Sequence, residues 1–306
     1  MAGIGAVLIK AFAFVAIIAI GYGLKRIGFF HAQDFYLLSK INLKLTLPAA
    51  IIANFSKISM DVSMLIICVI GMGCNAATML AGYLMSMGKD KGEKTFNMLN
   101  LSGYNIGSFT TPFVQNFLGP VGVAATSLFD TGNAVMCTGI NFTVASMVSG
   151  EEEKPSPGRI ARTLLSSLPF DVYVIMTCLT LLNLRLPAAA VTLAETMGGA
   201  NAFIAMLMIG IGFEIRADKE KLKLMIRILT VRFTMAVAMA AGFYLLAPLE
   251  LEVRQAIAIC VIGPITSICP AYVGRLKGDV ELASAINSLA ILIGVVTTTV
   301  GLVIML

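Results

Sequence analysis

The chain has 306 residues, of which 58% are apolar and only 13% charged, and a formal net charge of +5. That apolar excess exceeds ordinary soluble usage, so the long apolar runs exclude a soluble globular domain as the body of the protein. The positive charges do not gather into one patch, which excludes a nucleic-acid surface and makes the charge balance a topology signal instead.

A membrane-spanning helix needs roughly 20 mostly apolar residues. Ten segments qualify: 4–24, 34–54, 62–86, 95–117, 120–148, 161–184, 187–214, 222–247, 255–273 and 281–305. The first lacks a basic region, short apolar core and cleavage site in sequence, so it is expected to remain as the first helix. The second carries Lys40 and Lys44 one turn apart, near Asn42, Thr46 and Pro48. One of the two lysines can snorkel to the surface; Lys44, the deeper, is a candidate to face an anion. Asn75, Asn201 and Asn287 are single amides in apolar runs and read as interhelical glue.

Segment 95–117 is wrong for a lipid-facing helix. It carries Asn97, Asn100, Ser102, Asn105, Ser108, Thr110, Thr111, Gln115 and Asn116, plus Pro112. Proline removes an amide donor and clashes with the preceding turn, so a break is predicted there. Broken backbone at membrane depth is tolerated only inside protein or against a water-filled cavity. The ninth segment repeats the pattern in Gly263-Pro264-Ile265-Thr266-Ser267-Ile268-Cys269-Pro270. Two proline-interrupted segments at corresponding places in two halves point to a transporter's binding site.

The halves divide at a charged, Pro/Gly-rich linker, giving units 1–149 and 161–306 around residues 150–160. Five spans in each half is an odd number, so the halves must insert in opposite orientations, as an inverted repeat. Charge supports this. Lys25, Arg26, Lys89, Lys91, Lys94, Lys154, Arg159, Arg162, Arg216, Lys219, Lys221, Lys223, Arg227, Arg275 and Lys277 fall on one side, and only Lys57, Arg185 and Arg254 on the other. Basic loops stay cytoplasmic, so both termini are expected outside a cytoplasmic membrane.

The candidate chemistry follows from the breaks. The second half of a broken helix presents free amides and a positive dipole end, so the half-helices after Pro112 and Pro270 are candidate anion binders. Asn105, Ser108, Thr110, Thr111, Thr266 and Ser267 would add side-chain donors and acceptors. The alternative is that the prolines only kink packed helices, with Ser and Thr bonding back to their own carbonyls. No arginine is expected at this point, because Arg232 belongs to another span and Arg275 lies near the cytoplasmic end. Asp130, with Ser127, Thr131 and Asn133 around it, is the clearest buried acid, and such acids are usually functional. Proton carrier, cation ligand and structural acceptor all stay open for it, with Asn133 grouped as its neighbour. Glu195 is placed near a segment end, in water. The six cysteines lack metal-ligand spacing and read as buried apolar residues, and the lone His31 cannot build a metal site. With no GxGxxG, Walker A, HExxH or Ser/His/Asp constellation in a usable context, an enzyme is disfavoured.

Read as an ordered set, these features resemble the auxin efflux carrier family in its compact bacterial form. The set comprises Lys44-Leu-Thr-Leu-Pro48-Ala, Asn105 with Pro112, and Gly119 through Asp130 and Asn133. It continues with Gly199 to Gly212 and Pro264 to Gly274. The resemblance implies an all-α integral membrane fold of ten helices in two inverted five-helix repeats, with helices 4 and 9 broken and crossing. It implies a scaffold of helices 1, 2, 6 and 7, and a mobile domain of helices 3–5 and 8–10 moving as an elevator. Asn105 and Pro112 match the family's substrate-contacting asparagine and crossover proline, and Pro264 or Pro270 the second crossover. Plant members place acids in the third and fourth spans as a proton-linked support site; those spans hold no carboxylate here. The expected function is carriage of a small organic anion, such as a carboxylate or auxin-like acid, without a cofactor. Proton or sodium coupling is left open, as is a homodimer through the scaffold helices. A sensor on the same fold, or a channel, is the alternative.

Overall fold

A computed structural model describes residues 4–31, 33–59, 62–150, 157–213 and 221–306. Among these residues the chain is helical, with no strand. α1 (Ile4–Arg26) is followed by α2 (Asp34–Ile41), which runs through a widened π turn (Asn42–Thr46) into α3 (Leu47–Phe55). A 3-10 turn (Val62–Leu65) opens α4 (Ile66–Met85). α5 (Lys91–Leu101) is separated from α6 (Thr111–Phe117) by a non-helical stretch and a π turn (Ile106–Thr110). α7 (Gly119–Val135) passes through a further π turn (Met136–Ile140) into α8 (Asn141–Ser149). Then come α9 (Pro157–Leu164), α10 (Leu168–Leu181), α11 (Ala188–Gly199), α12 (Asn201–Gly212) and α13 (Leu222–Leu246). α14 (Leu251–Ile262), α15 (Cys269–Arg275) and α16 (Val280–Met305) complete the chain.

Six of these stretches are long and apolar enough to cross a membrane: Leu8–Arg26, Asp34–Phe55, Val62–Met85, Ala188–Gly212, Leu222–Leu246 and Val280–Met305. Leu168–Leu181 is a shorter apolar helix. The outward faces carry bare apolar side chains such as Phe12, Leu246 and Ile304, which is the surface a lipid environment favours. The linker expected at 150–160 falls mostly on residues 151–156, which lie outside the described residues, as do Lys154, Arg216 and Lys219 of the basic set. α9 already begins at Pro157.

Helix starts follow ordinary capping chemistry. Asp90 accepts from Glu93 N at 2.9 Å and caps α5; Asp279 accepts from Leu282 N at 3.0 Å and caps α16. The Lys221 ammonium bonded to Asp279, with the Leu282 amide, holds that carboxyl below the usual carboxylate range.

The helices form two groups, which also pack on each other, α3 against α7 and α1 against α16. In one, α1 lies on α12 and α3 lies on α10 and α11. In the other, α4 packs on α5 and α7, α14 on α7 and α13, and α15 on α16. Each group contains very close helix pairs, of which the tightest are these. A Cβ on Gly210 would stand 2.2 Å from Ile18 O, and one on Gly21 would stand 2.6 Å from Leu207 O, so α1 and α12 touch backbone to backbone. A Cβ on Gly71 would stand 2.3 Å from Phe129 O and one on Gly132 1.9 Å from Cys68 O, which joins α4 and α7 in the same way. Small residues permit this approach where no hydrophobic force drives helices together in lipid.

Gly132→Ala is therefore expected to push α4 and α7 apart at a cost of about 1–3 kcal/mol or more. The check is thermal unfolding of the purified protein, in which Gly73→Ala, with nothing within 4 Å of its Cβ position, serves as the neutral comparison. Equal melting temperatures for the two variants would refute this packing.

Candidate functional site

The first break is made by glycine. α5 ends at Leu101, residues 102–105 leave helical geometry, and Gly103 takes φ +79°. A Cβ there would meet Thr266 Cγ2 at 2.7 Å and Cys137 Sγ at 2.8 Å, so neither the conformation nor the space suits another residue. Pro112, predicted to be the break, lies instead in the first turn of α6. The reason is the π turn before it, in which Thr110 N bonds Asn105 O at 3.2 Å and Thr111 N bonds Ile106 O. A proline in the first turn after a widened turn gives up a donor at little cost.

The freed backbone is held by amide side chains. Asn133 Nδ2 donates to Tyr104 O at 3.0 Å while its Oδ1 accepts from Tyr104 N at 3.1 Å. Asn75 Oδ1 accepts from Gly103 N at 3.2 Å and from Asn141 Nδ2 at 2.9 Å, and Asn75 Nδ2 donates to Asn133 Oδ1 at 3.0 Å. Two amides, from α4 and α7, thus replace helix partners that residues 103 and 104 have lost, and Asn141 of α8 holds Asn75 in place. Asn75 is glue, as predicted, but glue for backbone.

In the second break, residues 263–268 are non-helical between α14 and α15. Pro264 O accepts from Asn105 N at 2.9 Å, so the two breaks are bonded to each other. Pro264 therefore marks the crossing, and Pro270 falls in the first turn of α15. Asn287 on α16 donates to Thr266 O at 3.3 Å and serves the second break as Asn133 serves the first.

The expectation that no arginine reaches this point is wrong. Arg232, in the middle of α13, is 0% exposed. Its Nη1 donates to Leu101 O at 2.8 Å, and its Nη2 donates to Gly103 O at 2.9 Å and Gly263 O at 3.2 Å. The guanidinium carbon stands 4.2 Å from the centroid of the Tyr104 ring. A charge in mid-helix was the available signal, since intramembrane ionisable residues face the protein interior and are functional by default.

A cavity of about 580 Å³ reaches the crossing. Asn105, Ser267, Pro270, Asn287 and Ser288 line it there. Apolar walls from Phe35, Met208, Ile209, Ile211 and Ile291 lead to the level of Lys25, Gln33 and Tyr36, at the end of α1 and the start of α2. Lys25 Nζ donates to Phe213 O, where α12 ends, at 3.1 Å. Among the described residues Lys25 is the one charged side chain on the cavity wall.

Of the predicted binding residues, Asn105, Ser267 and Pro270 line this cavity, while Pro264 and Thr266 supply crossing backbone. The others are placed elsewhere. Ser108 donates to Asn42 Oδ1 at 3.3 Å, Thr110 donates to Asn105 O at 3.4 Å, and Thr111 and Pro112 are buried in α6. Lys44 lies on the exposed face of its π turn, whereas Asn42 and Thr46 point inward to Asn201 Oδ1 at 2.9 and 3.3 Å. Glu195 is half-exposed and pairs with Lys57 at 2.7 Å.

Asp130 does not line the cavity. Its Oδ1 accepts from Asn133 Nδ2 at 3.0 Å, and its Oδ2 accepts from Tyr173 OH at 3.0 Å. Tyr173, 2% exposed on α10, is the partner that the sequence reading missed. The pair joins the α7 group to the α10 group.

The family model described as Membrane transport protein matches residues 6–167, just over half of the chain. That stretch contains the first break, Asn105, Asp130 and Asn133. No curated protein matches the chain.

Proposed function

Because this chain belongs to the membrane transport protein family, the auxin efflux carriers that its sequence resembles, we propose that this multi-pass transporter carries a small organic anion by alternating access. The observation that carries the proposal is the cavity that ends on the Asn105–Pro264 crossing and has a lysine as its charged wall residue. An anion entering it meets Lys25 first, then the carboxamides of Asn105 and Asn287 and the hydroxyl of Ser267. Behind the crossing lies the buried charge of Arg232. The apolar walls suit an acid with a small apolar body, a carboxylate or auxin-like acid. In this reading the ten segments are ten spans in two inverted repeats, with both termini outside and the Lys25 end of the cavity facing the cytoplasm.

The moving parts in this reading are α4–α8 with α13–α16, against a scaffold of α1–α3 with α10–α12. Within each group helices touch through glycine. Between the groups, among the described residues, the bonds are side-chain ones: Lys10 with Asn116 O at 2.9 Å, Asn42 with Ser108, Tyr173 with Asp130, and Gln115 with Gly198 O at 3.4 Å. Bonds of that kind can be exchanged during a slide.

Uptake of a panel of labelled carboxylates into proteoliposomes, with and without proton and sodium gradients, tests the function; no uptake or exchange of any member would overturn it. Topology is tested separately. In a cysteine-free background, a cysteine within residues 151–157 should be labelled only from the cytoplasmic side and one at Leu306 only from outside. The opposite pattern at either position sinks the ten-span inverted repeat.

Asn105→Ala should leave the protein folded and lower affinity for a transported acid. A hydrogen bond to a charged group contributes about 1.5–3 kcal/mol, so the loss should be roughly tenfold to a hundredfold. Unchanged affinity removes Asn105 from the site.

An ionised Asp130 near an anion path needs a compensating proton or cation, so it is the coupling candidate. Asp130→Asn keeps the shape and the neutral charge of the protonated acid. It should retain substrate binding and lose the proton or sodium dependence of transport. A variant with the parent's ion dependence makes the Asp130–Tyr173 pair purely structural.

A further inference from the structure

The breaks leave two kinds of helix end. At the C-terminal ends of α5 and α14, carbonyl oxygens lose their helix partners and gather negative charge. In carriers built on broken helices such ends and the unwound carbonyls beside them coordinate a metal cation. Here Leu101 O and Gly103 O belong to the first break and Gly263 O to the second, and one guanidinium takes all three. Each C-terminal end carries the equivalent of about half a negative charge. Two ends therefore match one guanidinium. No carboxylate ion-pairs with Arg232 among the described residues. Its counter-charge is backbone.

We propose that Arg232 is the resident cation of the helix crossing. Its guanidinium fills the carbonyl cradle formed by both broken helices and stands where a coupling metal ion would otherwise be coordinated. The planar fork suits this task, because it reaches carbonyls of two chain segments at once while its face stacks on Tyr104. A lysine ammonium, a point charge on a flexible stem, cannot bridge both ends equally well. Arg232 acts as a positioning residue: it fixes the backbone just before Asn105 and just before Pro264 and is not among the residues lining the cavity. The crossing then requires no sodium, and any ion coupling passes through another group. The inference deepens the transporter reading but is tested without substrate, so the two can fail separately.

The test is thermal unfolding of purified protein in detergent at matched ionic strength, with sodium, choline or low-millimolar guanidinium as the added cation. With Asp130→Asn removing the other candidate cation ligand, the protein should melt at the same temperature in sodium and in choline. Arg232→Ala should melt about 5–10 °C lower in choline. Guanidinium should restore at least half of that loss, and sodium part of it, because the vacated carbonyls accept a free cation. Leu229→Ala, a cavity variant on the same helix, should gain nothing from either ion. If Arg232→Ala does not fold, Arg232→Lys takes its place, with a lower melting temperature than the parent and a gain from guanidinium. The proposal is overturned if sodium stabilises the Asp130→Asn protein over choline. It is equally overturned by a substituted protein that melts with the parent, or by one that gains no more from guanidinium than Leu229→Ala does.

Discussion

A backbone that leaves its helix inside a membrane protein must find partners within the protein, because the hydrocarbon supplies none. Everything notable about this chain's interior follows from meeting that demand at two places that touch. Gly103 opens the first break; Asn75 and Asn133 then act as a substitute ladder for residues 103 and 104, with Asn141 steadying Asn75. Asn287 does the same for Thr266. The breaks complete one another through Asn105 N and Pro264 O. Remove any one of these partners and a buried donor or acceptor is left bare, at about 1–3 kcal/mol each.

The same arrangement sorts charge. The negative ends of α5 and α14 are turned inward and neutralised by Arg232, so they present nothing to the cavity. What the cavity receives is the carboxamides of Asn105 and Asn287, hydroxyls and Lys25. In the proposed reading such a site would offer an anion one lysine, at the cavity's Lys25 end, and only neutral carboxamides and hydroxyls at the crossing. Structure and selectivity rest on one set of bonds.

The outline of this fold was legible in the sequence, because segment length and hydropathy depend only on composition. The paired breaks were legible as well, since a hydroxyl-rich, proline-bearing stretch appears in both halves. What the sequence concealed was direction. Ser108, Thr110 and Thr111 are among the polar residues that made segment 95–117 conspicuous, yet Ser108 reaches another helix, Thr110 bonds back to Asn105 O, and Thr111 is buried. Around an irregular turn, spacing no longer tells which way a side chain faces. The position of the break was concealed for a related reason: whether Pro112 interrupts a helix depends on the turn before it, and a π turn there absorbs the missing donor. Arg232 and Tyr173 were hidden because their partners lie far away along the chain and are, for Arg232, backbone carbonyls that carry no sequence signature.

The seam between the two helix groups follows from these same forces. Within a group, α1 meets α12 and α4 meets α7 at backbone distance, where a single methyl group would collide with a carbonyl. Contacts of that sort have one arrangement and resist sliding. Across the seam, Asn42–Ser108, Tyr173–Asp130 and Gln115–Gly198 are hydrogen bonds made by side chains, each with a net contribution of only about 0.5–1.5 kcal/mol, more where a charge is involved. Water or substrate groups can replace such bonds one at a time. The alternating-access motion proposed above would follow this plane, and among the described residues Asp130 is the acid whose hydrogen bond crosses it. A proton or cation arriving at Asp130 would alter the strongest of the seam's bonds. In the proposed mechanism an ion gradient would in that way reach the moving group without the ion entering the substrate cavity.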